Sequence, residues 1–166
     1  MLRLNCGSGQ RPFDKPWINI DTQERWNPDL VSDMSALPYD DNSAELIVGH
    51  HVLEHFEIGK ADDLIREWHR VLAPGGSLLI FVPDLRALVE AWREGRIDDY
   101  IFCVNLYGAY MGDIADRHAW AYTFETLAAK LRKAAHWREV KRFDWRKVAG
   151  ADLAQDWWVL AVEAVK

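Results

Sequence analysis

The amino-terminal segment contains the feature that most constrains this chain. Leu2 to Gly9 reads L-R-L-N-C-G-S-G, an apolar run that leads directly into two glycines separated by one residue. Only glycine reaches positive φ without a steric penalty and lets a ligand touch the main chain, so the pattern predicts a buried strand that ends in an open turn. Asp21 ends a second short apolar run, W-I-N-I-D, where a carboxylate can accept hydrogen bonds from a ribose. Two neighbouring strand ends are therefore expected to share one ligand.

The segment between these two runs is too short for a full helix. Pro12 and Pro16 lie within it and leave room for at most about one helical turn. A dinucleotide site places its pyrophosphate on a full helix that follows G-x-G-x-x-G, and here the third glycine is missing. The sequence therefore favours a ligand without phosphate.

Strands and helices alternate along the rest of the chain. Strands are predicted at residues 29–33, 44–48, 77–82, 140–145 and 156–165, and helices from about 52, from 61 to 72, after Asp84 and after Thr123. Residues 97–122 break the alternation and concentrate aromatic side chains, which suits a binding loop, an acceptor pocket or core equally. This order predicts one α/β domain over residues 1–166, a doubly wound, three-layer α/β/α sheet.

Charge and composition exclude several classes of protein. The net charge of −6 argues against a general nucleic-acid or anionic-membrane surface, although residues 117–149 carry nine Lys or Arg against three acids. A solvated helix face explains that basic stretch better than an anionic acceptor does. Two cysteines are too few for a disulfide framework, and neither a signal peptide nor an apolar run of membrane-spanning length is present, so we expect a cytoplasmic protein.

An ordered set of motifs resembles the class I S-adenosylmethionine-dependent methyltransferases of the methyltransferase-11 type. The matching pieces cover residues 2–84 densely and read L-N-C-G-S-G, I-N-I-D, D-M-S-A-L-P-Y-D-D-N-S, H-V-L-E-H, E-W-H-R-V-L-A-P-G-G and V-P-D. The resemblance implies S-adenosylmethionine as cofactor. It also implies a mostly parallel, seven-stranded, Rossmann-like sheet whose last two strands form an antiparallel hairpin.

The resemblance also implies a set of cofactor-binding residues. Main chain near the glycine turn would meet the methionine portion, Asp21 the ribose hydroxyls, Asp33 with the Met34 amide the adenine edge, and main chain of the fourth strand end the amino group. The full set is Asn5, Cys6, Gly7, Ser8, Gly9, Asp21, Asp33, Met34, Gly49 and His50.

Two departures from the family pattern concern the cover over the cofactor. Family members usually have helices ahead of the first strand, whereas this sequence enters the strand at Leu2, and the first crossover helix is reduced. The cofactor is then expected to be more exposed or more weakly bound, unless the aromatic segment or the second subunit of a homodimer covers it.

Methyl transfer requires few side chains, because the enzyme chiefly holds the nucleophile opposite the leaving sulfur. If the acceptor is a hydroxyl, a base within hydrogen-bond reach adds to the rate, and histidine titrates in the right range. His51, at a strand end, and His118, in the aromatic segment, are the candidate catalytic residues, with packing roles as the alternative for each. The expected acceptor is a small molecule, a sugar or a lipid headgroup; no nucleic-acid partner and no membrane insertion are expected.

Two alternatives come from other functional classes. Residues 51–55 spell H-x-x-E-H, the zinc-peptidase helix in which His51 and His55 would bind the metal and Glu54 would act as base. The same residues are expected in a methyltransferase, so no metal ligands are assigned. The second alternative is a module that binds S-adenosylmethionine and interacts with a partner but catalyses weakly.

Overall fold

A seven-stranded sheet runs through the part of the chain described by the computed structural model, residues 1–109, 114–144 and 157–166. Five strands are parallel, and the last two pair antiparallel with their neighbours. In chain order they are β1 (Leu2–Cys6), β2 (Ile18–Asp21), β3 (Leu30–Val31), β4 (Ala44–His50), β5 (Leu72–Pro83), β6 (Glu139–Arg142) and β7 (Val159–Val165). Their spatial order, β3-β2-β1-β4-β5-β7-β6, confirms the predicted doubly wound sheet and closing hairpin.

Four α-helices accompany the sheet in the described ranges: α1 (Lys60–Val71), α2 (Leu85–Arg93), α3 (Asp99–Tyr107) and α4 (Phe124–Ala134). The predicted caps are present, because the Asp84 side chain accepts hydrogen bonds from the first turn of α2 and Thr123 forms a capping box on α4. The expected helix at residue 52 is wrong: Leu53–His55 is a single 3₁₀ turn.

The aromatic segment is more regular than its sequence predicted. Helix α3 occupies its first half, because Asp98 caps the N-terminus and accepts a hydrogen bond from the Ile101 amide. Residues 114–116 form a 3₁₀ turn. Tyr110 and Gly112 of this segment, and the predicted strand residues 145 and 156, lie outside the described residues.

The two faces of the sheet are covered differently. Alternate residues of β4 and β5 point to opposite sides, so that Ile47 and Ile80 join one cluster while Val48 and Phe81 join another. Helices α1 and α4 pack on the first face. On the second face the first crossover contributes only Phe13 and Trp17, stacked edge to face at 5.0 Å, and has no helix, as predicted.

Helix α1 follows from its sequence. Its apolar positions recur on one face and are buried, and they are Leu64, Ile65, Trp68 and Val71. A buried ion pair joins α1 to α4, with Lys130 Nζ 2.6 Å from an Asp62 carboxylate oxygen. No helix in the described ranges is both long enough and apolar enough to cross a bilayer.

Candidate active site

A cavity of about 670 Å³ opens at the carboxyl ends of the central parallel strands, a volume typical of small-molecule sites. Four loops meet there: the glycine turn after β1, the loop after β2, the loop after β3 and the segment after β4, with two residues from the 3₁₀ turn at 114–116. The lining residues are Gly7, Gly9, Gln10, Asp21, Thr22, Gln23, Arg25, Trp26, Met34, His51, Val52, His55, Phe56, Ala115 and Asp116. The cavity thus gathers Gly7, Gly9, Asp21, Met34 and His51 from the predicted set.

The two glycines of the turn are needed for different reasons. Gly7 has φ +72°, and a Cβ there would lie 2.2 Å from a methyl carbon of Val52, so packing and backbone conformation both require glycine. Gly9 has φ +46°, and an added Cβ would meet no atom closer than 4.0 Å. Main chain at Gly9 therefore faces open space at the cavity wall, as a ligand in contact with the backbone requires.

Three residues at the end of β1 and in the turn that follows have buried side chains. Asn5 is buried and donates to the Asn19 side chain at 2.9 Å, which anchors the helix-free crossover. Cys6 is fully buried in the main core, and that burial raises the pKa of its thiol. Ser8 is buried, and its hydroxyl has no hydrogen-bond partner among the described residues. None of these three side chains lines the cavity, so their predicted contacts would have to come from main chain.

Asp21 links the glycine turn to the loop after β2. One carboxylate oxygen accepts the Gly9 amide at 2.9 Å, and the other accepts the Gln23 amide at 2.9 Å. A carboxylate has about four acceptor positions, so two remain after these bonds. Asp21 is buried, and it forms part of the cavity wall. Its geometry therefore suits a ribose diol.

Asp33 is exposed and lies outside the cavity lining, whereas its neighbour Met34 is buried and forms part of that lining. One Asp33 oxygen accepts hydrogen bonds from both the amide and the hydroxyl of Ser35, at 2.8 and 2.7 Å. These two bonds lower the pKa of the Asp33 carboxyl. The carboxylate thus shapes its own turn, and the Met34 side chain forms part of the cavity wall.

Gly49 and His50 end β4 beside the cavity without lining it. A Cβ at Gly49 would lie 2.6 and 2.8 Å from two ring carbons of Trp68, so a packing constraint accounts for this glycine. The His50 ring packs edge-on against Phe81 at 5.6 Å and against His51 at 4.6 Å. Burial lowers the pKa of His50 to about 3, so its imidazole is neutral in the folded protein.

His51 is held by a buried carboxylate. It has φ +53°, a left-handed conformation that is uncommon for residues other than glycine, and its Nδ1 lies 2.7 Å from Glu54 Oε1. Because a carboxylate accepts, Nδ1 carries a proton, and in the neutral form of the ring Nε2 is the nitrogen with the lone pair. Nε2 is buried and has no hydrogen-bond partner among the described residues. The arrangement fixes both the tautomer and the direction of a base at the cavity wall.

Glu54 was not predicted to have a role in a methyltransferase, yet it is fully buried at the centre of three histidines. Burial would raise the pKa of its carboxyl, but the nearby His51, which also donates a hydrogen bond to it, lowers that pKa below its ordinary value together with His55 and His118. The sequence signal was an acidic residue close to the apolar residues Val52, Leu53 and Phe56. Such a residue is rarely fully buried unless it is paired.

His118 does not line the cavity, although it lies beside His55, which does. Their ring centroids are 4.9 Å apart. Burial lowers the pKa of His118. The peptidase alternative would place His51 and His55 on one helix face, but residues 51–55 contain only one 3₁₀ turn.

The loop after β2 supplies cavity residues that were not predicted from the sequence. Arg25 stacks over the Trp26 ring at 4.6 Å, and both residues line the cavity. An aromatic side chain in a polar loop directly after Asp21 was the available signal. The flat face of the Trp26 ring can stack against a nucleobase or an aromatic acceptor.

Comparison with known proteins agrees with this geometry. Residues 13–80 match a family model described as a methyltransferase domain. No curated protein sequence matches the chain significantly.

Solved structures share the fold at low sequence identity. A SAM-dependent methyltransferase from Archaeoglobus fulgidus is 17% identical, with 99% of this chain and 86% of that chain covered and a TM-score of 0.68. One from Mesorhizobium loti is 18% identical, with coverages of 99% and 90% and a TM-score of 0.63. The 1,6-didemethyltoxoflavin-N1-methyltransferase of Burkholderia thailandensis, solved with bound 1,6-didemethyltoxoflavin and S-adenosylhomocysteine, is 18% identical, with coverages of 99% and 70% and a TM-score of 0.59. The predicted resemblance and fold are thereby confirmed.

Proposed function

We propose that this chain is a class I S-adenosylmethionine-dependent methyltransferase and that it transfers a methyl group to a small-molecule acceptor; the matched methyltransferase domain and the shared fold support this. The observation that carries the proposal is the cavity at the carboxyl ends of β1, β2 and β4, where Gly9 main chain and the Asp21 carboxylate face the same space. Ligands of open α/β sheets bind at that edge.

S-adenosylmethionine fits the groups present in this cavity. In our proposal Asp21 accepts hydrogen bonds from the ribose hydroxyls, and main chain of the glycine turn contacts the methionine portion. The loop after β3 contacts the adenine at Met34. Main chain at Gly49 and His50 would receive the amino group. The cofactor supplies an electrophilic methyl group on a sulfonium when bound.

The acceptor in this proposal is a small molecule, of which sugars and lipid headgroups are the polar examples. Apolar and aromatic side chains form one part of the cavity wall, among them Trp26, Val52 and Phe56. The Burkholderia thailandensis neighbour methylates a small molecule, which supports this class. We assign His51 the role of accepting the acceptor's proton, because its Nδ1 is bonded to Glu54 and its Nε2 lone pair is unused.

Calorimetric titration of the full chain with S-adenosylhomocysteine tests the proposal. We expect a micromolar dissociation constant, and Asp21→Ala should weaken binding at least about tenfold, which corresponds to losing one charge-assisted hydrogen bond. Asp14→Ala is the matched control, because it removes the same charge from an exposed position outside the cavity lining.

Two results would count against this assignment. If S-adenosylhomocysteine does not bind to folded protein, the proposed function is wrong. If Asp21→Ala binds it as tightly as Asp14→Ala, Asp21 does not belong to the cofactor site. Binding without methyl transfer to any acceptor in a broad panel would instead favour the weakly catalytic binding module.

A further inference from the structure

Three side chains next to the cavity have the composition of a metal site. Glu54, His55 and His118 each offer one ligand atom, and these atoms lie within 4.8 Å of one another. Ligands of one zinc ion lie up to roughly 4 Å apart, twice the metal–ligand bond length of about 2 Å. Small side-chain rotations therefore suffice to bring the three atoms around one ion.

Both imidazoles are already in the tautomer that a metal requires. His55 Nδ1 lies 3.0 Å from the Arg117 carbonyl oxygen, and His118 Nδ1 lies 3.0 Å from the Asn105 carbonyl oxygen. A carbonyl can only accept, so each Nδ1 carries the proton and each Nε2 keeps a lone pair. Histidine ligands in metal sites commonly donate their second N–H to a backbone carbonyl in this way.

Glu54 supplies the anionic ligand. Its Oε1 is bonded to His51, while its Oε2 is buried and has no hydrogen-bond partner among the described residues. An unsatisfied buried polar atom in a folded protein calls for a partner such as an ion or water.

Backbone hydrogen bonds hold the two ligand segments together. The Glu54 carbonyl accepts the amides of Ala119 at 2.7 Å and Trp120 at 3.1 Å. The His118 amide donates to the Tyr107 carbonyl at 3.0 Å. The relative position of Glu54, His55 and His118 is thus fixed by main chain.

We propose that Glu54, His55 and His118 bind one divalent transition-metal ion of the zinc type, with an open coordination position that faces the cavity. Imidazole nitrogens favour zinc and its neighbours over magnesium, and two histidines with one glutamate are a known catalytic zinc set that leaves the fourth position free. His55 both contributes a ligand atom and lines the cavity, which places the ion at the cavity wall.

The open position determines the class of acceptor, and this part rests on the proposed function. A hydroxyl oxygen of the acceptor would bind the metal and lose its proton to His51. The oxygen then forms a bond to the methyl carbon while the carbon–sulfur bond breaks. The electron pair of the broken bond stays on sulfur, which gives S-adenosylhomocysteine. We therefore expect an alcohol or phenol acceptor. The sequence assigned no metal ligands here, because the partner of Glu54 and His55 lies more than sixty residues away in the chain.

Titration of chelator-treated full chain with ZnCl₂ by calorimetry tests the site directly. We expect one equivalent of Zn²⁺ to bind, much more tightly than Mg²⁺. His118→Ala should weaken Zn²⁺ binding by at least about a hundredfold, since even the loss of groups that only orient ligands weakens metal sites by roughly 10- to 100-fold. His136→Ala is the control, because it removes an exposed imidazole outside the cluster and should leave Zn²⁺ affinity unchanged.

A second measurement keeps the result independent of folding and turnover. The Co²⁺-loaded protein should show tetrahedral d–d absorption that shifts on addition of azide, a small anion that occupies open metal positions. His55→Ala, with a circular dichroism spectrum to verify folding, should lose that absorption. An absorption that azide does not change would rule out the open position.

The two proposals fail in different ways. Equal Zn²⁺ affinity in wild-type protein and His118→Ala, or no Zn²⁺ binding at all, overturns the metal site even if S-adenosylhomocysteine binds normally. Zn²⁺ binding at these ligands without S-adenosylhomocysteine binding supports the metal site and overturns the methyltransferase assignment.

Discussion

Replacement of Gly49 by alanine tests whether the end of β4 is shaped by packing. A Cβ there would lie 2.6 and 2.8 Å from two carbons of the Trp68 six-membered ring, against about 3.5 to 4.0 Å for a relaxed carbon–carbon contact. One of the two groups must move by about 1 Å. Gly49 pairs with Cys6 on one side and with Ile80 on the other, and Trp68 is fully buried, so neither yields easily.

The expected cost follows from overpacking in a buried core. Gly49→Ala should lower the free energy of unfolding by about 3 kcal/mol, the upper part of the usual range for inserted carbons. Backbone conformation adds nothing, because the φ of Gly49 is not positive. Urea denaturation followed by circular dichroism measures the change. Gly59→Ala is the matched control: its φ is also negative and its added Cβ would meet nothing within 4 Å, so we expect a change within about 0.5 kcal/mol.

A double-mutant cycle identifies the clash as the cause. Trp68→Phe removes the ring carbons that a Cβ at Gly49 would meet. Gly49→Ala should therefore lower the free energy of unfolding by at least about 1 kcal/mol less in the Trp68→Phe protein than in the wild type. Additive effects of the two substitutions, or a Gly49→Ala cost equal to that of Gly59→Ala, would refute the packing explanation.

Two further predictions concern the ion pair beneath α1 and the base at the cavity. Asp62 has its pKa lowered chiefly by its hydrogen bond to Lys130, so the stability from this pair is present above the ordinary carboxyl pKa and is lost as pH falls through the lower folded value. Lys130→Met should lower the free energy of unfolding by about 3 kcal/mol at pH 7, and the stability of this variant should fall less steeply as the pH is lowered. Arg66→Met, which removes an exposed ion pair, should lower it by less than about 1 kcal/mol. Urea denaturation measures both changes. His51→Asn, which tolerates the left-handed backbone, should lower kcat by about 10² to 10⁴ with S-adenosylhomocysteine affinity unchanged; wild-type turnover in that variant would remove His51 as the base.

Local signals in the sequence were sufficient for most of the fold. The G-x-G turn, the buried run of β5, the apolar face of α1 and the caps Asp84 and Thr123 each depend on residues close together in the chain, and all are present in the structure. The expected helix at residue 52 was wrong because the left-handed His51 and its bond to Glu54 turn the chain sharply, which no propensity encodes.

The site was less predictable because it depends on contacts between distant segments. Asp21, at the end of a strand, could be placed in the cavity wall from sequence alone, since parallel strands bring their carboxyl ends to one edge. The approach of His118 to His55 could not, because it depends on hydrogen bonds between residues 117–120 and the Glu54 segment. Asp33 shows the opposite case, in which a residue that fits a family pattern forms its own turn with Ser35.

Glu54 is the residue at which fold and chemistry conflict. Burying a carboxylate costs several kcal/mol unless strong partners offset it, and an apolar side chain of similar volume at such a position commonly gives equal or greater stability. One oxygen of Glu54 has His51, while the other has no partner in the described structure. Packing alone therefore does not explain a carboxylate among Leu53, Val52 and the core of the first face. A role in orienting His51 and binding a cation accounts for both oxygens at once, and it makes Glu54 the link between the proposed base and the proposed metal site.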